Sequence, residues 1–195
     1  MINYSVSAVI PVYNEEEYLP KTIREVYDVL SSNFSDFEII IINDGSNDHS
    51  PYILAEFEKK YTSIRVLHNP HNQGLGVTLK KGFHATTKDI IFYIDCDLPF
   101  DPHFVIKAVN FLKEYELIIG YRDKWDNLLR RLYSLAYNSI IRYAFHFSFA
   151  NASIGVKVFK RKILEGIKLK SSGSFISIEL LLEAKIFRFE LRLAS

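Results

Sequence analysis

Residues 90–97 read Ile-Ile-Phe-Tyr-Ile-Asp-Cys-Asp, a short apolar run that ends in two carboxylates, Asp95 and Asp97. The apolar part, Ile90–Ile94, is too short for a typical helix and contains β-branched side chains, so it predicts a buried strand. In open α/β sheets, ligands bind outside the carboxyl ends of the strands. The two carboxylates therefore indicate a site as well as a fold.

Similar apolar runs alternate with helical patterns on either side of this stretch. The predicted strands are Val6–Val12, Phe37–Asn43, Ile64–His68, Ile90–Ile94 and Leu117–Gly120, and the predicted helices between them are Glu15–Leu30, Pro51–Tyr61, Leu75–Thr86 and Pro102–Tyr115. Strands that are separated by helices imply βαβ units. We therefore expect an α/β fold, a sandwich with a mostly parallel central sheet that is flanked by helices.

The later part of the chain continues the alternation less regularly. It predicts a long helix over Asn127–Phe147, a strand over Ala152–Phe159, a helix over Ile176–Phe187 and a strand over Arg188–Leu193. A chain of 195 residues has the length of one domain, so we expect a single domain over residues 1–195.

The composition excludes several classes of protein. A hydrophobic fraction of 48% is enough for a packed core and too high for a disordered chain. The single cysteine, Cys96, excludes an internal disulfide and a cysteine zinc cluster, and it favours a reducing compartment. A net charge of +1 argues against a dedicated nucleic-acid binder. Because the sequence shows no signal peptide and no apolar run of about 18 residues, we expect a cytoplasmic protein.

The small net charge conceals two segments of opposite charge. Residues 1–120 carry 10 Lys and Arg against 17 Asp and Glu, a net −7, whereas residues 121–170 carry 11 against 3, a net +8. This division favours two partners of different charge, although charge on a solvated surface would give the same counts.

Asp95 and Asp97 follow a strand that is almost wholly apolar, so their charges require a partner. Two carboxylates spaced in this way can share one hard cation, and Mg²⁺ and Mn²⁺ are often held by one or two carboxylates together with substrate phosphates. Asp also commonly ends strands without a metal, so the pair alone is weak evidence. Cys96, between them, fits a small packing residue better than a metal ligand.

Two further loops follow predicted strands. In the stretch Asn43-Asp44-Gly45-Ser46, Asp44 could accept hydrogen bonds from a nucleotide. The stretch could also be an Asx turn with Ser46 capping the next helix and Asp48 as an additional cap, and the two interpretations are compatible. Residues 72–76 contain Gly74 and Gly76 and resemble a phosphate cradle. Position 79 is Leu, so the dinucleotide-binding glycine pattern is incomplete, and the alternative is a turn that needs positive φ.

The basic segment contains residues at helical spacing. Arg130, Ser134 and Asn138 are successively four apart, so on a helix they share a face, and with Arg122 they could bind a phosphate of an acceptor. An ordinary solvated helix face has the same spacing. The aromatic residues that follow suit a membrane interface or an ordinary core.

The ordered set of these motifs resembles the family 2 glycosyltransferases with the GT-A fold, and most closely the dolichol- or polyprenyl-phosphate sugar synthases. The resemblance runs from about Ser5 to Ala184. The matching motifs are Val9–Glu15, Asn43–Asp48, Asn72–Gly76 with Gly82, Asp95–Asp97 and Gly120–Arg122.

The resemblance implies a role for each motif. Nucleotide contacts are implied for Pro11, Tyr13, Glu15, Asp44, Ser46 and Gly74, Mg²⁺ or Mn²⁺ binding for Asp95 and Asp97, and acceptor-phosphate binding for Arg122, Arg130 and Ser134. Residues 1–120 would then bind the nucleotide-diphosphate sugar, linked to UDP or GDP, and residues 121–195 the lipid-phosphate acceptor. The acceptor phosphate is already ionised, so it could attack the anomeric carbon with inversion and without a general base.

Some positions depart from the family pattern. Pro99 stands where many of these synthases have a metal-binding Gln, and Asp101 is near enough in sequence to substitute for it. Asn151 stands where a family Asp precedes the motif glycine, Gly155. The chain also ends before the C-terminal interface helices or hairpins that many relatives carry, so we expect either a short or a truncated member of the family. The lipid-phosphate acceptor implied by the resemblance leads us to expect a protein that is peripheral at the cytoplasmic face of a membrane.

Two other functions remain open at this point. A glycosyltransferase that acts on a glycan hydroxyl would need a general base, for which Glu179 is a candidate. A non-catalytic nucleotide-sugar or membrane-binding module would explain Pro99 and Asn151.

Overall fold

The computed structural model describes residues 1–97, 101–120, 156–186, 189 and 191–194. Its strands are β1 (Ile2–Val12), β2 (Phe34–Asn43), β3 (Ile64–His68), β4 (Ile90–Ile94), β5 (Leu117–Gly120), β6 (Val156–Lys160) and β7 (Leu191–Ala194). Its helices are α1 (Leu19–Asn33), α2 (Ser50–Lys60), α3 (Leu75–Ala85), α4 (Phe104–Phe111), α5 (Ile163–Gly166) and α6 (Ile176–Ile186).

The described strands form one sheet of seven with the order β3-β2-β1-β4-β6-β5-β7. β1 pairs in parallel with β2 and with β4, β2 pairs in parallel with β3, and β5 pairs in parallel with β7. β6 alone among them runs antiparallel to its neighbours, β4 and β5. The prediction of a mostly parallel sheet flanked by helices is therefore confirmed.

The two faces of the sheet are both buried, which explains the nearly continuous apolar runs. Along β1, Ala8 and Ile10 belong to a core shared with α1 and α4, whereas Val9 faces a second core shared with α3 and α6. Because β1 lies between β2 and β4 and pairs in parallel with both, the carboxyl ends of these three strands lie side by side at one edge of the sheet. That edge is where the candidate site lies.

Most predicted element boundaries agree with the structure to within a few residues, and β3, β4 and β5 agree throughout. β1 and β2 begin earlier than predicted, because Ile2 pairs with Phe34 ahead of the apolar runs. α1 begins at Leu19 rather than Glu15, with a proline in its first turn, because the preceding residues form a loop of the site. The predicted helix Asn127–Phe147 lies outside the described residues, as do the first residues of the strand Ala152–Phe159.

Within the described part of the chain, none of the helices combines the length and the apolar character needed to cross a bilayer.

Gly82 allows α3 to lie directly on the sheet. A Cβ atom at this position would lie 2.6 Å from Ile42 Cδ1 and 2.7 Å from Val9 Cγ1. We predict that Gly82→Val lowers the free energy of unfolding by about 1–3 kcal/mol, the usual cost of overpacking a core. Urea titration measures this quantity. Gly173→Val is the matched control, since a Cβ there meets no atom within 4 Å, and an equal loss in the control would contradict the packing argument.

Candidate active site

A cavity of about 390 Å³ opens at the carboxyl ends of β1, β2 and β4. Its lining comprises Pro11, Val12, Tyr13, Glu15, Asp44, Asn72, Gly74, Leu75, Thr78, Asp95, Cys96 and Asp97. The nucleotide- and metal-binding residues implied by the family resemblance all lie in this lining except Ser46, and Asp101, the suggested substitute metal ligand, also lies outside it. A larger cavity of about 640 Å³, between α3 and residues 161–170, lacks these motif residues.

Ser46 connects the loop after β1 to the loop after β2. Its hydroxyl oxygen accepts a hydrogen bond from the Asn14 N–H at 3.0 Å, and Asn14 Oδ1 accepts one from the Asn47 N–H at 2.8 Å. Asn14 has a positive φ of 55°, which these bonds help to hold. Ser46 does not cap α2, because the N-cap residue of this helix is His49, which makes no side-chain cap hydrogen bond. Asp48, one residue earlier, accepts a hydrogen bond from the Ser50 N–H at 2.9 Å. Ser46 thus shapes the cavity from outside its lining.

Asp44 is a buried carboxylate that holds the glycine loop, residues 72–76, in place. Its Oδ1 accepts hydrogen bonds from Asn69 Nδ2 at 2.7 Å and from the Gln73 N–H at 2.9 Å, and its Oδ2 accepts one from the Gly74 N–H at 2.9 Å. A carboxylate has about four acceptor positions, so little of its capacity remains for a ligand. The side chain lies where the sequence predicts, but its contacts in the structure are with the protein.

The glycines at 74 and 76 accommodate a neighbouring segment of protein. Gly74 has a φ of 88°, which confirms the predicted positive-φ turn. A Cβ at Gly76 would lie 2.4 Å from the Ser171 carbonyl oxygen, and the Gly76 N–H donates a hydrogen bond to the Ser172 carbonyl at 2.9 Å. The similarity to a phosphate cradle is therefore misleading at Gly76, because protein backbone occupies the space and takes the N–H.

A buried lysine lies close to the first aspartate of the motif. Lys157, on β6, is fully buried opposite Tyr93, and its Nζ lies 5.3 Å from the centre of the Tyr93 ring. The Tyr93 hydroxyl in turn donates a hydrogen bond to Asp95 Oδ1 at 2.6 Å. Burial raises the pKa of Asp95 to about 6, against the Tyr93 hydrogen bond and the attraction of Lys157. Burial also lowers the pKa of Lys157 to about 8, which leaves it mostly protonated at neutral pH.

Two further carboxylates, those of Asp97 and Glu15, line the same cavity. Asp97 is exposed, and burial followed by repulsion from Asp97, Asp48 and Asp95 raises the pKa of Glu15. This donor set of carboxylate oxygens fits a hard divalent cation. Among the described residues, no group of three or more His, Cys, Asp or Glu side chains is arranged as a metal site.

Two other residues near the motif have defined environments. Cys96 is buried, and burial raises its pKa to about 12, so it is a packing residue as the sequence predicts. Asp101, the suggested substitute ligand, is exposed, lies outside the cavity lining and accepts hydrogen bonds from the His103 N–H and Nδ1 at 2.9 and 2.7 Å.

Glu179 is buried at the start of α6 and is engaged on both oxygens. It accepts hydrogen bonds from the Lys170 N–H at 2.8 Å and the Ser171 N–H at 2.9 Å. Burial raises its pKa, but these bonds and the nearby Lys80 charge outweigh burial and lower it overall. A carboxylate with a lowered pKa and two occupied oxygens is poorly suited to serve as a general base.

Several predicted residues cannot be placed. Arg122, Arg130 and Ser134 lie outside the described residues, as do Pro99 and Asn151. Conversely, sequence reasoning missed Lys157 and the segment around Ser172. Lys157 could have been noticed because it is a lysine within an otherwise apolar strand. No feature of the sequence near Ser172 indicates its contact with Gly76.

Comparisons with known proteins bear on this site. Residues 7–167 match the family model described as Glycosyl transferase family 2. An undecaprenyl-phosphate 4-deoxy-4-formamido-L-arabinose transferase from Pectobacterium atrosepticum is 31% identical over 179 residues, which cover 89% of this chain and 54% of that protein. A dolichyl-phosphate beta-glucosyltransferase from Trichomonas vaginalis is 34% identical over 98 residues, which cover 47% of this chain and 30% of that protein. The chain thus spans about half or less of the length of these relatives.

The fold is also found among solved structures. The Mycobacterium tuberculosis glucosyl-3-phosphoglycerate synthase, in complex with Mn²⁺, uridine diphosphate and phosphoglyceric acid, superposes with a TM-score of 0.76. The match covers 98% of this chain and 68% of that one at 20% identity, so it concerns the fold.

Replacing Lys157 with an uncharged residue removes the positive charge that compensates the Asp95 carboxylate. We predict that Lys157→Met lowers the free energy of unfolding by about 1–3 kcal/mol, because the half-buried Asp95 carboxylate loses an attractive charge but keeps the Tyr93 hydrogen bond. A double variant with Asp95→Asn should recover part of the loss. Both are measured by urea titration.

Lys160→Met is the matched control on the same strand. Lys160 is partly exposed, with its Nζ 3.6 Å from Glu116 Oε1, so we expect a loss of at most about 1 kcal/mol. Equal losses in the two single variants, or no recovery in the double variant, would contradict the role of Lys157.

Proposed function

Because this chain belongs to glycosyl transferase family 2, we propose that it transfers a sugar from a nucleotide-diphosphate sugar to a polyprenyl or dolichyl phosphate, with inversion. The observation that carries the proposal is the cavity at the ends of β1, β2 and β4, which brings Asp95 and Asp97 together with the two loops expected to bind the nucleotide. The names of the two relatives, each a transferase to a lipid phosphate, support this class of acceptor.

Asp95 and Asp97 would hold Mg²⁺ or Mn²⁺ in this proposal. When bound, such a cation stabilises the charge that develops on the leaving nucleoside diphosphate. The protein's own contribution is to present Asp95 in one orientation, through the Tyr93 hydrogen bond, and to leave Asp97 exposed to the substrate.

The nucleotide would lie against the loops after β1 and β2. Tyr13 is 42% exposed, so its ring has a free face beside the cavity, where a base or ribose could pack. Pro11 and Glu15 line the same cavity, while Asp44 and Gly74 contribute through the shape of the glycine loop. Ser46 would act indirectly, by holding Asn14.

The acceptor phosphate is assigned to the basic part of the chain. Residues 121–170 carry a net charge of +8, and Arg122, Arg130 and Ser134 are the proposed phosphate ligands. Residues 1–120 would form the nucleotide-sugar half of one domain and residues 121–195 the acceptor half. A lipid acceptor also implies that the protein works at the surface of a membrane.

The acceptor can be identified directly. We predict transfer from a UDP- or GDP-sugar to polyprenyl phosphate in the presence of Mn²⁺, measured as radiolabelled lipid product. Arg130→Ala should raise the acceptor KM about tenfold or more, because a charged hydrogen bond to phosphate is lost. The donor KM serves as the internal control, since Arg130 is not assigned to the nucleotide.

Other outcomes would favour the alternatives. Transfer to a glycan hydroxyl alone would overturn the lipid-phosphate acceptor, although both oxygens of Glu179, the base suggested by the sequence, are engaged by backbone N–H groups. Nucleotide binding without any transfer would favour a non-catalytic module.

The role of Asp97 can be separated from that of a nearby carboxylate. We predict that Asp97→Asn lowers kcat/KM on the order of 100-fold or more, the scale expected when a group that supports transition-state charge is lost. It should also weaken Mn²⁺ binding in the presence of UDP or GDP, measured by electron paramagnetic resonance. Asp101→Asn is the matched control and should change neither quantity. Full activity in Asp97→Asn would refute the metal assignment.

A further inference from the structure

Glu179, at the start of α6, is connected to the wall of the cavity through hydrogen bonds with the protein backbone. Its two carboxylate oxygens hold the N–H groups of Lys170 and Ser171, as described above. Lys80 supports the same stretch, since its Nζ donates a hydrogen bond to the Lys170 carbonyl at 3.2 Å. Residues 170–172, here named the bracing segment, are thereby fixed between α6 and α3.

The bracing segment lies directly against the glycine loop. The Ser172 carbonyl accepts the Gly76 N–H at 2.9 Å, and the same oxygen lies 2.9 Å from where a Cβ of Gly74 would be. The space at Gly76 is tighter still, because the backbone of residues 171 and 172 lies within 2.8 Å of its would-be Cβ. Only glycine fits at these two positions beside the segment, and a movement of the loop away from the segment would break the Gly76–Ser172 hydrogen bond.

The opposite side of the glycine loop is fixed by Asp44. That carboxylate accepts the N–H groups of Gln73 and Gly74, and both Asp44 and Gly74 line the cavity. The loop is thus held between two buried carboxylates, Asp44 directly and Glu179 through the bracing segment. A displacement of the segment is transmitted to the cavity wall by these contacts.

We propose that Glu179 is a positioning residue for the sugar nucleotide, which acts through the bracing segment on the glycine loop and Asp44. The inference rests on the proposed function, because it takes the cavity to be the nucleotide site. The chemistry of the contact requires a carboxylate. A glutamine would offer one acceptor and would turn its amide N–H groups toward a backbone N–H, which would leave a buried donor unsatisfied.

The decisive variant is Glu179→Gln, with Glu183→Gln as the matched control one turn later on the same helix. The dissociation constants of UDP and GDP are measured by calorimetry with Mn²⁺ present, and kcat is measured at saturating donor. We expect nucleotide binding at least about tenfold weaker in Glu179→Gln, because hydrogen bonds to a charged acceptor are roughly twice as strong as neutral ones. We expect kcat to change much less, and Glu183→Gln to match the wild type.

A milder variant covers the case in which Glu179→Gln does not fold. Lys80→Met removes only the outer support of the bracing segment and should weaken nucleotide binding about two- to threefold, in keeping with the loss of one partly exposed hydrogen bond. Hydrogen exchange of the amides at positions 76, 170 and 171 should be faster in each affected variant. This readout follows the bracing contacts independently of activity.

The outcomes separate the inference from the proposed function. If the wild type binds neither UDP nor GDP, the proposed function fails. If the wild type binds a nucleotide and folded Glu179→Gln binds it equally well, the positioning role is wrong. A lower melting temperature with unchanged dissociation constants would likewise overturn it, because that result would reduce Glu179 to a stabilising contact.

Discussion

Lys157 lies fully buried within the sheet, and its charge acts on Asp95, the half-buried carboxylate at the end of β4. Buried carboxylates are costly unless a charge or hydrogen bond compensates them. The compensation here requires a strand between β4 and β5 that places a lysine opposite Tyr93, which is what the antiparallel β6 provides. The one antiparallel strand among the described seven is thus linked to the chemistry of the site. The strand order of the sheet and the charge balance around Asp95 therefore both involve β6.

A second set of contacts shapes the opposite wall of the cavity. Asp44 and Glu179 are both buried carboxylates whose oxygens are taken up by backbone N–H groups. Such hydrogen bonds are among the strongest available in a protein, and they fix loops more rigidly than apolar contact does. The glycine loop lies between them, so its shape depends on the last described helix as much as on its own sequence. A cavity of this kind is built from distant parts of the chain.

The site was only partly predictable for specific reasons. The residues of the cavity lining were predictable because each predicted strand ends in polar groups, and parallel strands end at the same edge of a sheet. The roles of Ser46 and Gly76 were not predictable, because each meets a partner from another loop, Asn14 in one case and Ser172 in the other. The start of α1 was predicted too early for a related reason, since the loop before it is held by hydrogen bonds to Ser46, Asp48 and Ser50.

The sequence by itself determined the α/β class, the position of β4 and the acidic pair at its end, because periodicity and runs of apolar residues report burial directly. The tertiary structure alone decided which partners each carboxylate meets within the protein. Asp97 is left exposed, whereas Asp44 and Glu179 are committed to backbone N–H groups. It also decided that Lys157 supports Asp95. The physical reason is that a charged side chain takes its role from the partners that folding brings to it, and those partners lie far away in the sequence.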